Sequence, residues 1–283
     1  MNIGIVTCKE QPDLIPTERF LPLLLQKSGN IDVLIWNDPI VIWQSYDVLI
    51  IRSVWDYHLQ YESFIKWLDE LKASNIKVFN PVEVIKKNLH KFYLKDFLEK
   101  DFPVIPTYFL PVEEVESFSL ENLCAGKNWE QIVIKPAISA TAWNAYKLAN
   151  VDQIKNFKFP IVADWLIQPF VSEIIEFGEI SLMFFNREFS HAVIKKSTTG
   201  DFRVQEEFGG KFSIIEPNNL VVKTALEVLE SIKGDVLYSR VDGVITAEGF
   251  KIMEVELIEP EMFLLSNILQ RKFADAIKLK INE

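Results

Sequence analysis

The stretch Lys251-Ile-Met-Glu-Val-Glu-Leu-Ile-Glu-Pro260 constrains the fold more than any other part of the chain. It has the apolar content of a β-strand, yet it carries two carboxylates. Side chains alternate across a strand, so Met253, Val255 and Leu257 are expected on one face and Glu254 and Glu256 on the other. Like charges two residues apart repel each other and resist burial. Two arrangements relieve them: an edge strand with a solvated acidic face, or a divalent cation bound by carboxylate oxygens, the ligand chemistry of Mg2+. The preceding segment Tyr238–Thr246 is also β-rich, and Ala247-Glu-Gly-Phe250 supplies a turn. A two-residue loop at Glu248-Gly249 would set Asp242 opposite Val255, facing away from Glu254. A three-residue loop, 247–249, would set Asp242 opposite Glu254 and Arg240 opposite Glu256, all on one face. A shared site therefore calls for an odd number of loop residues.

The rest of the chain narrows the class. With 283 residues it can bury a large core and divide into two or three subdomains. A net charge of −10 argues against nucleic acid and anionic membranes as partners, since both require basic surfaces. No apolar run approaches a membrane span. The start, Met-Asn-Ile-Gly-Ile-Val, enters a strand without a basic-then-apolar leader, so the cytoplasm is the expected address. Cys8 and Cys124 lie far apart without metal-ligand spacing and are expected to be buried structural thiols.

Residues 1–80 alternate between strand patterns (3–7, 33–36, 48–52, 77–79) and helical ones (17–26, 61–73), the mark of a small α/β unit. No G-x-G-x-x-G follows the first strand, which disfavours a dinucleotide site. The strand at 48–52 runs into a loop carrying Arg52, Ser53, Trp55, Asp56 and Tyr57. Ligands of open α/β sheets bind outside the carboxyl ends of strands, so Arg52 is a candidate clamp for a substrate carboxylate, with Asp56 or Tyr57 orienting an amine. An aromatic-anchored packing loop with an Arg52–Asp56 ion pair fits the residues equally well. A helix is expected over 82–98 with Asn88, Lys91 and Lys95 along one side. An apolar strand then ends in Lys135-Pro136, and a glycine-free loop follows at 137–143. Strands at 179–185 and 188–195 form a hairpin across Asn186-Arg187, helix 218–232 points Val222, Ala225, Leu226 and Leu229 inward, and a last helix covers 262–278.

Taken in order, Asn80-Pro81, the lysine-bearing helix, Pro103-Val-Ile-Pro-Thr107, Lys135-Pro136, Gln168-Pro169, Arg240-Val-Asp-Gly243 and Met253–Pro260 resemble the ATP-grasp superfamily. Its members include glutathione synthetase and D-alanine–D-alanine ligase. The resemblance spans residues 80–265, and the first 80 more loosely. Glu256 stands where the family commonly has Asn, which is similar to the O-ureidoserine cyclo-ligase branch of D-cycloserine biosynthesis.

The resemblance implies an α/β (α+β) ATP-grasp fold with an N-terminal Rossmann-like pre-ATP-grasp subdomain at 1–80. A central and lid subdomain at 81–170 and a C-terminal subdomain at 171–283 with the metal site would follow. It implies that Lys91 and Lys135 reach the ATP phosphates and that Ser139 lies in the closing flap. Flaps of the family are glycine-rich, and this one has none. Gln168, Phe170 and Val171 would hold the adenine and Glu173 or Glu179 the ribose. Lys195, Arg203 and Arg240 would serve the transferring phosphoryl group, with Gln205 in place of Asn in the flanking motif. Asp242, Glu254 and Glu256 would bind Mg2+, expected as two ions, with Mn2+ an equivalent occupant. Arg52, Ser53, Trp55, Asp56 and Tyr57 would meet the substrate.

The expected activity is ATP- and Mg2+-dependent carboxylate–amine ligation, between two molecules or within one, through an acyl phosphate on a small amino-acid-like substrate. An ATP-binding protein without ligase activity and a kinase-like phosphotransferase are the alternatives. The sequence leaves a homo-oligomer open.

Overall fold

The computed structural model describes residues 1–140, 142–160, 163–197 and 210–283. Strands β1 (Asn2–Thr7), β2 (Asn30–Ile35), β3 (Val48–Ile51) and β4 (Lys77–Phe79) form a parallel sheet in the order β2-β1-β3-β4. In β3, Val48 and Ile50 join one core while Leu49 and Ile51 join another, so the strand is buried on both faces, as parallel strands are. Helices Tyr61–Ala73 and Val82–Asn88 cover one face through Phe64, Leu68, Leu71 and Ile85. The other face takes the short helix Leu21–Leu25 and, from the far end of the chain, helix Asn267–Asn282 with Phe273, Ala274 and Ile277. The C-terminal segment thus completes the first layer.

The expected helix at 17–26 contracts to Leu21–Leu25. Pro22 occupies its first turn, and a proline ring excludes the helical carbonyl four residues upstream. The expected helix at 82–98 is broken. It runs Val82–Asn88, then turns through an extended His90 (φ −109, ψ 112) whose ring accepts from Phe92 N–H, and resumes at Leu94–Leu98. Asn88, Lys91 and Lys95 therefore do not share one helical side. The last helix begins only after Ser266, which accepts from Leu269 N–H as its N-cap, because Met262, Phe263 and Leu264 are buried as irregular chain. Helix Asn219–Glu230 buries Val221, Ala225, Val228 and Leu229, so its inner stripe is rotated from the expected one.

Strands β5 (Tyr108–Leu110), β6 (Ile132–Pro136), β7 (Tyr146–Leu148) and β8 (Trp165–Pro169) make an antiparallel sheet ordered β5-β8-β6-β7. The third sheet, ordered β11-β10-β9-β12-β13, is also antiparallel. It contains β9 (Glu179–Phe185), β10 (Glu188–Lys196), β11 (Lys211–Ile215), β12 (Tyr238–Thr246) and β13 (Gly249–Glu256). The β9–β10 hairpin turns at Asn186-Arg187, both at positive φ, as a type I′ turn needs.

The β12–β13 hairpin sets Asp242 opposite Glu254 and Arg240 opposite Glu256, but not through an odd loop. Thr246 pairs with Gly249 across a two-residue loop, and the register then shifts by one between Asp242 and Gly243. Met253 is the extra residue, a β-bulge that supplies the odd count inside the strand. Gly243 makes room for it: a Cβ there would lie 2.4 Å from the Phe250 ring and 2.5 Å from the Lys251 carbonyl oxygen.

Candidate functional site

β13 is the outer strand of its sheet, so one row of its backbone groups has no neighbouring strand. Side chains from the broken helix take that role. Asn88 Nδ2 donates to Val255 O (2.8 Å), and Asn88 Oδ1 accepts from Leu257 N–H (2.8 Å). Tyr93 Oη lies 2.9 Å from both N and O of Val255. Asn80, fully buried, donates to the carbonyls of Leu257 and Tyr238 and accepts from Leu237 N–H. Upstream, Ile252 donates to Pro103 O and accepts from Ile105 N–H. Each carboxylate of the strand is thus flanked by pinned backbone, which fixes where Glu254 and Glu256 point.

They point into a cleft of about 540 Å3 lined by the second and third sheets and by loops of the first layer. Its apolar part is formed by Ile105, Val133, Val171, Ile174 and Met253, a slot suited to a flat ring. Met253 reaches it because the bulge removes that residue from the core face, where Val255 and Leu257 remain buried. Gln168 and Phe170 line the slot; the Gln168 amide donates to Thr107 Oγ1 at 2.8 Å, and Phe170 packs under Lys147 Nζ at 3.3 Å from the ring centre.

Beyond the slot comes charge. Lys91 is 6% exposed, with Nζ 3.0 Å from Glu254 and donating to Ser139 O at 2.7 Å. Lys135 lies 3.9 Å from the same carboxylate. Arg240 spans two acids, with Nη2 at 2.9 Å from Asp242 and 2.5 Å from Glu256. Lys195 is paired with Glu179 and stands 3.7 Å from Asp242, whose other oxygen accepts a short hydrogen bond from Ser181.

These pairings set the protonation. Burial pushes Asp242 up, but Arg240 and Lys195 outweigh it and hold the carboxyl down at about 2. Burial also opposes ionisation of Glu254, yet Lys91 and Lys135 keep it below its usual range. Glu256 goes the other way: burial, reinforced by Asp242 and Glu254, exceeds the pull of Arg240 and raises it to about 7. Burial lowers Lys135, helped by Lys91.

Asp242, Glu254 and Glu256 do not draw one oxygen each to within 4.8 Å of one another, because each is held by a neighbouring cation. Among the described residues the three that do are Cys8, Glu10 and Asp56. Burial and Asp56 raise the Cys8 thiol above its usual range.

Several expected site residues lie elsewhere. Arg52, 1% exposed, forms a bidentate ion pair with buried Glu18 (Nη2–Oε1 2.5 Å, Nε–Oε2 3.0 Å). It also donates to Pro260 O and stacks 4.5 Å from the Tyr238 ring centre, so it is neither a clamp in the cleft nor the partner of Asp56. Ser53 is buried away from the cleft, and Asp56 accepts from the Trp36 indole at 2.7 Å. Of that loop only Trp55 and Tyr57 line the cleft. Glu173 does not line it; its carboxylate accepts from Ser172 Oγ. Glu179 sits with Lys195 and Asp242 among the charges rather than beside the slot. Arg203 and Gln205 lie outside the described residues.

In the glycine-free flap Ala142 adopts a positive φ, a conformation that favours glycine. Ser139 is buried, with Oγ donating to Pro136 O, and Ile138 and Ala140 pack on the core of the first sheet. Sequence reasoning missed Glu18, Tyr93, Ser181 and Glu259, none of which sits in a recognisable spacing. It saw Asn88 but not that it pins β13.

Residues 3–80 match the family described as D-cycloserine synthetase DcsG, N-terminal domain. The cycloserine biosynthesis protein DcsG of Streptomyces lavendulae is 23% identical over 286 residues, covering 93% of each chain. Among solved structures, that of D-cycloserine synthetase DcsG superposes with a TM-score of 0.86 at 21% identity, over 99% of this chain and 100% of that one. The ATP-grasp ligase PsnB, in complex with a precursor variant, Mg and ADP, gives a TM-score of 0.67 at 13% identity, over 99% of this chain and 98% of that one.

Proposed function

The chain has the ATP-grasp fold and resembles D-cycloserine synthetase along almost its whole length, and from this we propose that it is an ATP- and Mg2+-dependent ligase. It would join a carboxylate to an amine, between molecules or within one, through an acyl phosphate on a small amino-acid-like substrate. The observation that carries this reading is the order of chemistry along one cleft: an apolar slot, then Lys91 and Lys135, then Asp242, Glu254 and Glu256.

Asp242, Glu254 and Glu256 would suit Mg2+, expected as two ions, since all their donors are hard oxygens. Bound Mg2+ would neutralise phosphate charge and align the oxygens for in-line transfer. The chain's own groups do the rest. The slot and the Gln168–Val171 segment hold the base. Lys91 and Lys135, which pair with Glu254 here, would serve as donors to phosphate once that carboxylate is engaged elsewhere. Arg240 and Lys195, similarly freed from Glu256 and Asp242, face the charge that develops on the transferring group and on the acyl phosphate. The pinned edge of β13 keeps the backbone that carries Glu254 and Glu256 in place, and closure of the flap would exclude water.

The test is Mg2+-dependent ADP release by the purified protein over pooled amino acids, with and without amine donors, alongside Glu256→Ala. Stimulation by one pool that the variant loses supports the ligase. Near-normal activity in the variant refutes the metal assignment. ADP formed without any amine indicates a phosphotransferase, and nucleotide binding without ADP formation indicates a binding protein.

A further inference from the structure

The cleft has a wall that ligation by itself does not explain. It is built from Thr17, Trp55 and Tyr57 of the first layer and Glu259 of the segment after β13. Glu259 is 9% exposed and lines the cleft. Glu179, Asp242, Glu254 and Glu256 each pair with a lysine or arginine. Among the described residues no lysine or arginine pairs with Glu259. The Trp55 indole, 3.0 Å away, is spent on its main-chain carbonyl, which fixes the residue without neutralising the side chain.

We propose that Glu259 holds a cationic amine of the substrate, with Trp55 and Tyr57 as the aromatic walls of that subsite. A buried carboxylate without a counter-charge is costly unless a ligand supplies one. Aromatic faces favour such a cation further. The nearby lining, Ile15, Pro16 and Ile258, is aliphatic and suits a short carbon skeleton. In the absence of a ligand, burial and Glu256 raise the Glu259 carboxyl to about 8, so a proton stands where the ammonium would bind. The inference rests on the ligase reading for the substrate's carboxylate, not for its amine.

The test is calorimetric titration of the full chain, loaded with Mg2+ and a non-hydrolysable ATP analogue, with pooled free amino acids and with their N-acetylated counterparts. Free amino acids are expected to bind and the N-acetylated set to bind at least tenfold more weakly. Glu259→Gln, which keeps the shape and removes the charge, is expected to bring the free set down to the level of the N-acetylated one. Equal binding of the two sets overturns the proposal, as does failure of every free amino acid to bind. A Glu259→Gln protein that loses Mg2+ affinity while keeping amino-acid affinity overturns it too, and makes Glu259 a metal ligand. Should that variant not fold, the acetylation comparison on the native protein decides alone. ADP release is scored separately. Amine-dependent binding without ADP sinks the ligase and leaves this subsite, whereas ADP release that tolerates acetylation does the reverse.

Discussion

Arg52 is the position where a binding role and a structural role predict opposite measurements. Its guanidinium is 1% exposed and Glu18 is fully buried. The two are joined by paired hydrogen bonds, with a further donation to Pro260 O and stacking on Tyr238. Replacing one partner of such a pair strands the other charge, a loss of about 3–5 kcal/mol. For a chain of this size each kcal/mol moves the melting temperature by roughly 2–3 °C, so Glu18→Leu and Arg52→Met should each melt roughly 10 °C lower. The double variant should regain much of that, because no buried charge is left unpaired. Thermal or urea unfolding of the four proteins gives the coupling directly. The ADP-release assay then asks whether KM for the stimulating substrate moves beyond what partial unfolding explains. An Arg52→Met protein with native stability and a strongly raised KM would refute the structural role and restore Arg52 as a substrate clamp.

Asn88→Ala removes both side-chain bonds to β13 and leaves the Val255 carbonyl and Leu257 N–H buried, so a loss of about 2–4 kcal/mol is expected by denaturant unfolding. Nucleotide-dependent ADP release should fall with it, and a variant of unchanged stability would show that the edge is held by other means. Gly243→Ala forces a methyl against the Phe250 ring and the Lys251 carbonyl, and should cost about 1–3 kcal/mol or more with weakened Mg2+ binding. A neutral effect in both assays would mean the bulge shifts freely. Without ions or ligands, Glu256 and Glu259 carry protons up to about pH 7 and about pH 8 when folded, against an ordinary 4.5. Their raised pKa values stabilise fully below the unfolded value; that stability falls as pH rises from about 5 and is gone once pH has passed 7 to 8. The melting temperature of the ion-free protein should therefore drop across that window, and Mg2+ with nucleotide should blunt the drop. A flat or rising profile would count against burial of both carboxyls.

What the sequence determined by itself was local and periodic. Alternation in Lys251–Pro260 announced a strand with misplaced acids, apolar runs located β1, β3 and β9, and Asn186-Arg187 marked a hairpin. The order of motifs was enough to name the ATP-grasp fold. The pairing of Asp242 with Glu254 was also legible, because a common site admits only that register. Its route was not. Whether the odd residue falls in the loop or in a bulge depends on how Gly243 packs against Phe250, a contact between strands. Arg52 was misread for a related reason: its partner Glu18 is remote in sequence, while Asp56 is near. The break at His90 and the pins from Asn88 and Tyr93 answer to the unpaired edge of β13, more than 160 residues away. Glu259 looked like one more acid beside a proline until the fold enclosed it. Propensity and periodicity act over a few residues, but burial and charge compensation are settled by whatever the fold brings alongside, and only the tertiary structure decides that.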